Sequence, residues 1–128
     1  MILPTLIVAT AALVQSATLN IHPAEAAKRI ANEDVIVLDV RTPEEFAKSH
    51  IPGAKLLNLH DPSFLERAGQ LDPNQAYLVQ CRSGVRSARA AEILQELGID
   101  TIYNLQGGII AWENADLPTV TKSEETPQ

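Results

Sequence analysis

The sequence predicts an α/β domain with a central, mostly parallel sheet and helices on both of its faces. Three observations predict it. Short apolar runs alternate along the chain with proline- and threonine-marked helix starts, the order that builds a parallel sheet with crossover helices. Val35-Ile36-Val37-Leu38 is apolar throughout and rich in β-branched residues, as strands covered on both faces are. The run Ala76 to Gln80 ends at Cys81, where a polar loop containing Arg82, Gly84 and Arg86 leads into a helical pattern. In open α/β sheets this is where ligands bind, beyond the C-terminal ends of the strands.

Each element has its own local signal. Leu19-Asn20-Ile21 is a short extended piece, and Pro23 opens a helix to about Ala31, a place where a missing N–H costs nothing. After the Val35–Leu38 strand, Thr42-Pro43-Glu44-Glu45 combines an N-cap, a proline at the first helical position and acids in the first turn. That helix is expected to stop near Ser49, before a turn at Ile51-Pro52-Gly53 and a short strand at Leu56-Leu57. Asp61-Pro62-Ser63 caps a brief helical turn reaching Leu65, and Asp72-Pro73-Asn74 is a loop. The helix after Cys81 sets Ala90, Ala91, Leu94 and Leu97 on one face and Arg89, Glu92, Gln95 and Glu96 on the other, ending at Gly98. Thr101-Ile102-Tyr103 is the last strand, and Gly107-Gly108 opens a helix holding Ile109, Ile110 and Trp112.

Three segments divide the chain. Residues 18–118 form one domain, the expected outcome for 128 residues. Residues 119–128 are polar and proline-containing and are expected to be a disordered tail. Residues 1–17 carry no charged side chain and have the length of a signal-peptide core, with small residues for cleavage near Ser16 or Ala17. Export to the periplasm or secretion is the expectation. A retained membrane anchor or a cytoplasmic protein with an extra packed segment is the alternative, and membrane contact is expected only through residues 1–17.

Charge and residue counts exclude several function classes. A formal net charge of −6 opposes nucleic-acid binding, which needs a basic face. One cysteine excludes an intramolecular disulfide and any Cys-x-x-Cys motif. His22, His50 and His60 have no metal-ligand spacing and read as turn or surface residues.

Cys81 is the candidate nucleophile. A helix N-terminus presents unpaired N–H groups and a partial positive charge, which favour a thiolate over a thiol. Arg82 and Arg86 add positive charge in an acidic chain, and flanking guanidiniums would be costly around an inert core cysteine.

Four stretches, in order, make the sequence from about Leu19 to Pro118 resemble a single-domain rhodanese, a sulfurtransferase. Asp39-Val40-Arg41-Thr42-Pro43-Glu44-Glu45-Phe46 is similar to the family's strand-to-helix segment. His50-Ile51-Pro52-Gly53-Ala54 resembles its following turn, with Ser49 where glycine is common. Cys81-Arg82-Ser83-Gly84-Val85-Arg86-Ser87 resembles its catalytic loop, and Leu105-Gln106-Gly107-Gly108-Ile109-Ile110-Ala111-Trp112 its C-terminal motif.

The resemblance implies a rhodanese-like fold and a two-step sulfur transfer. Cys81 would take a sulfane sulfur from a donor such as thiosulfate or a persulfide, hold it as a persulfide, and pass it to cyanide, a thiol or a carrier protein. Backbone N–H groups from Arg82 through Ser83, Gly84 and Val85 to Arg86 would cradle the sulfur anion. No metal and no organic cofactor is implied. Asp39 and Arg41 are expected to form a supporting pair, Arg82 to face solvent, and Arg86 either to steer an anionic donor or to brace the loop through a carboxylate. Gly84 is expected to supply backbone shape, Gly107-Gly108 a close approach of the last helix to the sheet, and Trp112 core packing. The alternatives are a non-catalytic sulfur carrier or partner-binding module and, further off, a phosphatase. Phosphatases that resemble this fold place five residues between cysteine and arginine, whereas four intervene here.

Overall fold

In the computed structural model, which describes residues 1–9 and 17–125, the alternating signals of the sequence become alternating strands and helices. The chain runs β1 (Leu19–Ile21), α1 (Pro23–Ala31), β2 (Ile36–Asp39), α2 (Pro43–Lys48) and β3 (Lys55–Leu56). It continues through α3 (Phe64–Ala68), β4 (Ala76–Gln80), α4 (Val85–Glu96), β5 (Thr101–Leu105) and α5 (Gly108–Asn114). The strands form one five-stranded sheet in the order β1-β5-β4-β2-β3, and every pairing is parallel.

This order creates a crevice in the middle of the sheet. From β2 the chain moves outward to β3, whereas from β4 it moves the other way to β5, so the two connections diverge between these neighbours. Register pairs Asp39 with Gln80, which brings the last residues of both strands level. Cys81 and Arg41 therefore leave the same edge of the sheet on adjacent strands, at its topological switch point.

Strand alternation splits the core into two layers. On one face Leu38, Val79 and Cys81 pack with Phe64 and Ala68 of α3 and with Ala90, Ala91 and Leu94 of α4. On the other, Val37 and Leu78 pack with Ala26 of α1 and Trp112 of α5, with Phe46 of α2 against them. Leu97, expected on the apolar face of α4, is instead 43% exposed as its C-cap, and Ile99 takes the buried position beyond the turn. The Thr42 expectation holds in full. Its hydroxyl accepts from the Glu45 amide while the Glu45 carboxylate accepts from the Thr42 amide, a capping box with Pro43 at the first helical position.

Two expectations need correction. His22 and His60 are exposed, but His50 is fully buried, stacked on Phe46 at 3.7 Å between ring centroids. Its Nδ1–H donates to the Phe46 carbonyl at 2.7 Å, and Nε2 lies 2.8 Å from Glu125 Oε1. The contact with His50 holds the Glu125 carboxyl below the usual glutamate range. The segment expected to be a disordered tail is anchored as far as Glu125 for the same reason. Val120 and His50 exchange two backbone hydrogen bonds of 2.9 Å, the Lys122 amide donates to Ala47, and Trp112 Nε1 donates to the Pro118 carbonyl. A polar composition conceals this strap, because backbone pairing does not depend on side-chain type.

At the other end, Thr18 Oγ1 accepts from Gln95 of α4. Residues 1–9 are exposed, include no helix or strand, and enter neither hydrophobic cluster. The expected cleavage position near Ser16 lies outside the described residues.

Candidate active site

Cys81 is the first residue after β4, and the chain turns at once toward α4. Gly84 makes that turn possible. It is the N-cap of α4 with φ +109, in the region an L side chain rarely adopts, and its amide points back to donate to Cys81 Sγ at 3.0 Å. Ser87, in the first turn of α4 and fully buried, places its hydroxyl 3.4 Å from the same sulfur.

Burial of the Cys81 thiol pushes its pKa up. Hydrogen bonds from the Ser87 hydroxyl and from the amides of Ser87, Gly84 and Ser83 more than reverse this, so the net pKa is lowered from the ordinary value. The sequence pointed to the N–H groups of the helix terminus together with Arg82 and Arg86 for this effect. In the structure convergent N–H and O–H donors carry it, and Ser87 was the residue missed. Its signal was a lone hydroxyl among the small residues Ala88, Ala90 and Ala91 at the start of a helix.

The loop is clamped from behind by α5. Gly107 and Gly108 both take positive φ, and a Cβ built on Gly108 would lie 2.4 Å from the Arg82 carbonyl oxygen and 2.5 Å from that of Cys81. The contact expected between this helix start and the sheet is therefore with the Cys81–Arg82 peptide itself. With no side chain in the way, the Ile109 amide donates to the Cys81 carbonyl at 2.9 Å and the Ile110 amide to that of Arg82 at 3.3 Å. Two otherwise unpaired donors of the α5 N-terminus are thereby satisfied.

Arginine pairing sorts the charged residues. Arg41 is 4% exposed, and its Nη2 donates to Asp39 Oδ2 at 2.7 Å and to the Ser49 carbonyl at 2.7 Å, with Nε 2.9 Å from Asp39 Oδ1. It is the supporting pair expected, and it ties the β2 exit to the end of α2. Of the two readings open for Arg86, the structure has the brace. Its two guanidinium Nη atoms donate to the two carboxylate oxygens of Glu45 at 2.7 and 2.9 Å, joining α4 to α2 and lowering the Glu45 pKa to about 2. Glu45 was read only as a first-turn acid, because nothing local reveals a partner at position 86.

Arg82 is exposed, as expected, and so are Ser83 and Val85 of the loop. Beside the loop lies a shallow pocket of about 270 Å³ whose walls include Arg82, Lys48, Glu45, Glu113, Ile109 and Ile110. Among the described residues, no group of three or more His, Cys, Asp or Glu side chains is gathered as metal ligands would be.

A sequence profile for the rhodanese-like domain matches residues 22–115. The chain belongs to the rhodanese-like family. A protein named sulfurtransferase from Allochromatium vinosum is 39% identical over 94 residues, covering 73% of this chain and 86% of that one. The thiosulfate sulfurtransferase GlpE of Pseudoalteromonas translucida is 31% identical over 96 residues, covering 75% of this chain and 90% of its own. The crystal structure of a rhodanese-related protein from Thermoplasma volcanium superposes with a TM-score of 0.73 at 31% identity, covering 81% of this chain and 99% of the other. The rhodanese-like fold inferred from the four motifs is thus the fold of this chain, and Cys81 stands within the matched region.

Two outcomes follow from this geometry. Removing the Ser87 hydroxyl takes away a donor to the thiolate, so Ser87→Ala should move the midpoint of Cys81 alkylation upward in pH, with slower alkylation on the acid side. Rates measured with iodoacetamide across the pH range check this, and an unchanged midpoint would show that the amides suffice. Gly108→Ala should drive the Cys81–Arg82 peptide off α5, destabilising the domain by about 2–5 kcal/mol. Urea unfolding measures the loss, and a near-neutral change would mean that the clamp yields easily.

Proposed function

We propose that this rhodanese-family protein is a sulfurtransferase that moves a sulfane sulfur from a donor such as thiosulfate to a thiophilic acceptor through a Cys81 persulfide. The observation that carries the reading is the convergence of donors on one sulfur. The Gly84 amide at 3.0 Å, the Ser87 hydroxyl at 3.4 Å, and the Ser83 and Ser87 amides favour an anion at the Cys81 sulfur, and the loop is held in that shape before any substrate arrives.

In the first half-reaction the Cys81 thiolate attacks the outer sulfur of thiosulfate. A Cys81 S–S bond forms, the donor's S–S bond breaks, and sulfite leaves with the bonding pair. In the second, a nucleophile such as cyanide or a thiolate attacks the terminal sulfur, and the pair of the breaking S–S bond returns to Cys81 Sγ as thiolate.

The loop's arginine also supports sulfur over phosphoryl chemistry. Four residues separate Cys81 from Arg86, and both Nη atoms of Arg86 are engaged by Glu45, so its guanidinium is turned to bracing rather than to a tetrahedral anion. Arg82, exposed at the mouth, is the loop cation that attracts an anionic donor.

Incubation with thiosulfate should add the mass of one sulfur to the protein, removable by cyanide, and Cys81→Ser should neither load nor turn over. Retained turnover in that variant would end the proposal. Loading without turnover would assign the protein to sulfur carriage instead of catalysis.

Export is part of the same proposal. Residues 1–9 are apolar, exposed and outside both core clusters, which leaves them available for a targeting or anchoring role. Protein isolated from its native host should begin close to Ala17 or Thr18 by N-terminal sequencing. A soluble cytoplasmic form retaining Met1 would refute it.

A further inference from the structure

On β5, strand alternation turns Asn104 to the same side of the sheet as the buried Ile102, into the layer that α4 covers. The Asn104 side chain is 6% exposed and donates through Nδ2 to Asn20 Oδ1 of the paired strand β1 at 3.1 Å. Its Oδ1 is buried and accepts from no donor among the described residues. A buried carbonyl oxygen left without a donor is costly, and a ligand that supplies one relieves the cost. Asn104 lines a pocket of about 370 Å³, within the roughly 300–1,000 Å³ of small-ligand sites. Ala88, Glu92 and Gln95, one stripe of α4, face Thr18, Asn20 and Asn104 across it. Neither Cys81 nor any residue that donates to its sulfur lines this pocket. Gln95 Nε2 donates to Thr18 Oγ1 at 2.9 Å, which leaves Gln95 Oε1 free among the described residues. Glu92 engages Arg89 through one carboxylate oxygen at 3.2 Å, in an exposed pair, and keeps the other. Three acceptors, one of them charged, thus line the pocket, against the Asn20 amide as spare donor.

We propose that this pocket between α4, β5 and β1 is a binding site for a small hydroxylated amine in its ammonium form. The ammonium N–H groups donate to Asn104 Oδ1 and to the free oxygen of Glu92. Its hydroxyls bond to Gln95 Oε1 and to the Asn20 amide. An anion suits the pocket poorly, because Glu92 repels it and a single amide is spare to hold it. A hydrocarbon chain or an aromatic ring finds only the methyl groups of Ala17 and Ala88 to lie on. Arg89 is the one cation paired at the rim, and it competes with the ligand for Glu92. Cys81 takes no part, so the site stands apart from the persulfide reading.

The test is a titration of isotope-labelled full-length protein, followed by NMR at the side-chain amide groups of Asn20, Gln95 and Asn104. Four probes are compared. Serinol carries an ammonium and two hydroxyls, propylamine the ammonium alone, glycerol hydroxyls alone, and glycerate hydroxyls with a carboxylate. Serinol should shift the three amide signals saturably and reach half-saturation at the lowest concentration. Glu92→Gln should raise that concentration about two- to fivefold and leave glycerol unaffected, the size expected of an exposed ion pair. Arg89→Gln should lower it by a similar factor, because it frees the carboxylate. Both positions are exposed, so these variants are expected to fold. Asn104→Leu should abolish saturation, and Cys81→Ser should bind serinol as the wild type does. The absence of a saturable shift with serinol would overturn the site. So would equal half-saturation for serinol, glycerol and glycerate, or Glu92 and Arg89 variants that move it in the same direction.

Discussion

The absence of a side chain at Gly108 is the constraint on which the arrangement of the site depends. At this position the α5 backbone reaches the Cys81–Arg82 peptide so closely that a Cβ would sit 2.4 Å from a carbonyl oxygen. The approach lets the α5 N-terminus donate to the carbonyls of Cys81 and Arg82. With the Arg82 carbonyl held from behind, the N–H of the same peptide, that of Ser83, is turned toward the sulfur, where the Gly84 N–H joins it. A thiol within the protein core would otherwise be a poor anion, since burial alone favours its neutral form. The cradle supplies locally what the surrounding apolar layer takes away.

Charge is arranged around this cradle in two tiers. Close to the sheet, Asp39 with Arg41 and Glu45 with Arg86 are matched pairs that fasten loops and helices to one another. The buried pair also accounts for the Ser49 carbonyl, and so links the crevice between β2 and β4 to the turn at His50. That turn is in turn held by the C-terminal strap through Val120 and Glu125. Further out, Arg82, Lys48 and Glu113 have no ion-pair partner among the described residues and meet solvent. Paired charges give rigidity, whereas unpaired ones at the rim are available to an incoming ligand.

Much of this was legible along the chain. Strand and helix positions followed from apolar runs, Pro23 and Pro43 at helix starts, and Thr42 as an N-cap, all of which are signals carried by residues a few positions apart. Cys81 at a strand-to-helix junction marked the candidate nucleophile for the same reason. Ser87 was within reach of such reading but was overlooked, because a serine in a first helical turn usually signals capping rather than contact with a sulfur. The strap after Pro118 was not legible, since its hydrogen bonds come from backbone atoms that every sequence possesses.

The sequence by itself determined the α/β alternation, the placement of the single thiol at a strand's C-terminal end, and the family motifs in their order. Only the tertiary structure decided which charges are spent and which are left over. Arg86 finds Glu45 across 41 positions of sequence, and Ser49 finds Glu113 across 64. Both meetings are set by where the parallel sheet and its connections place α2, α4 and α5. A side chain's local neighbours specify its secondary structure through short-range sterics and hydrogen bonds. Its electrostatic role depends on distance in space, and that exists only once the layers have closed.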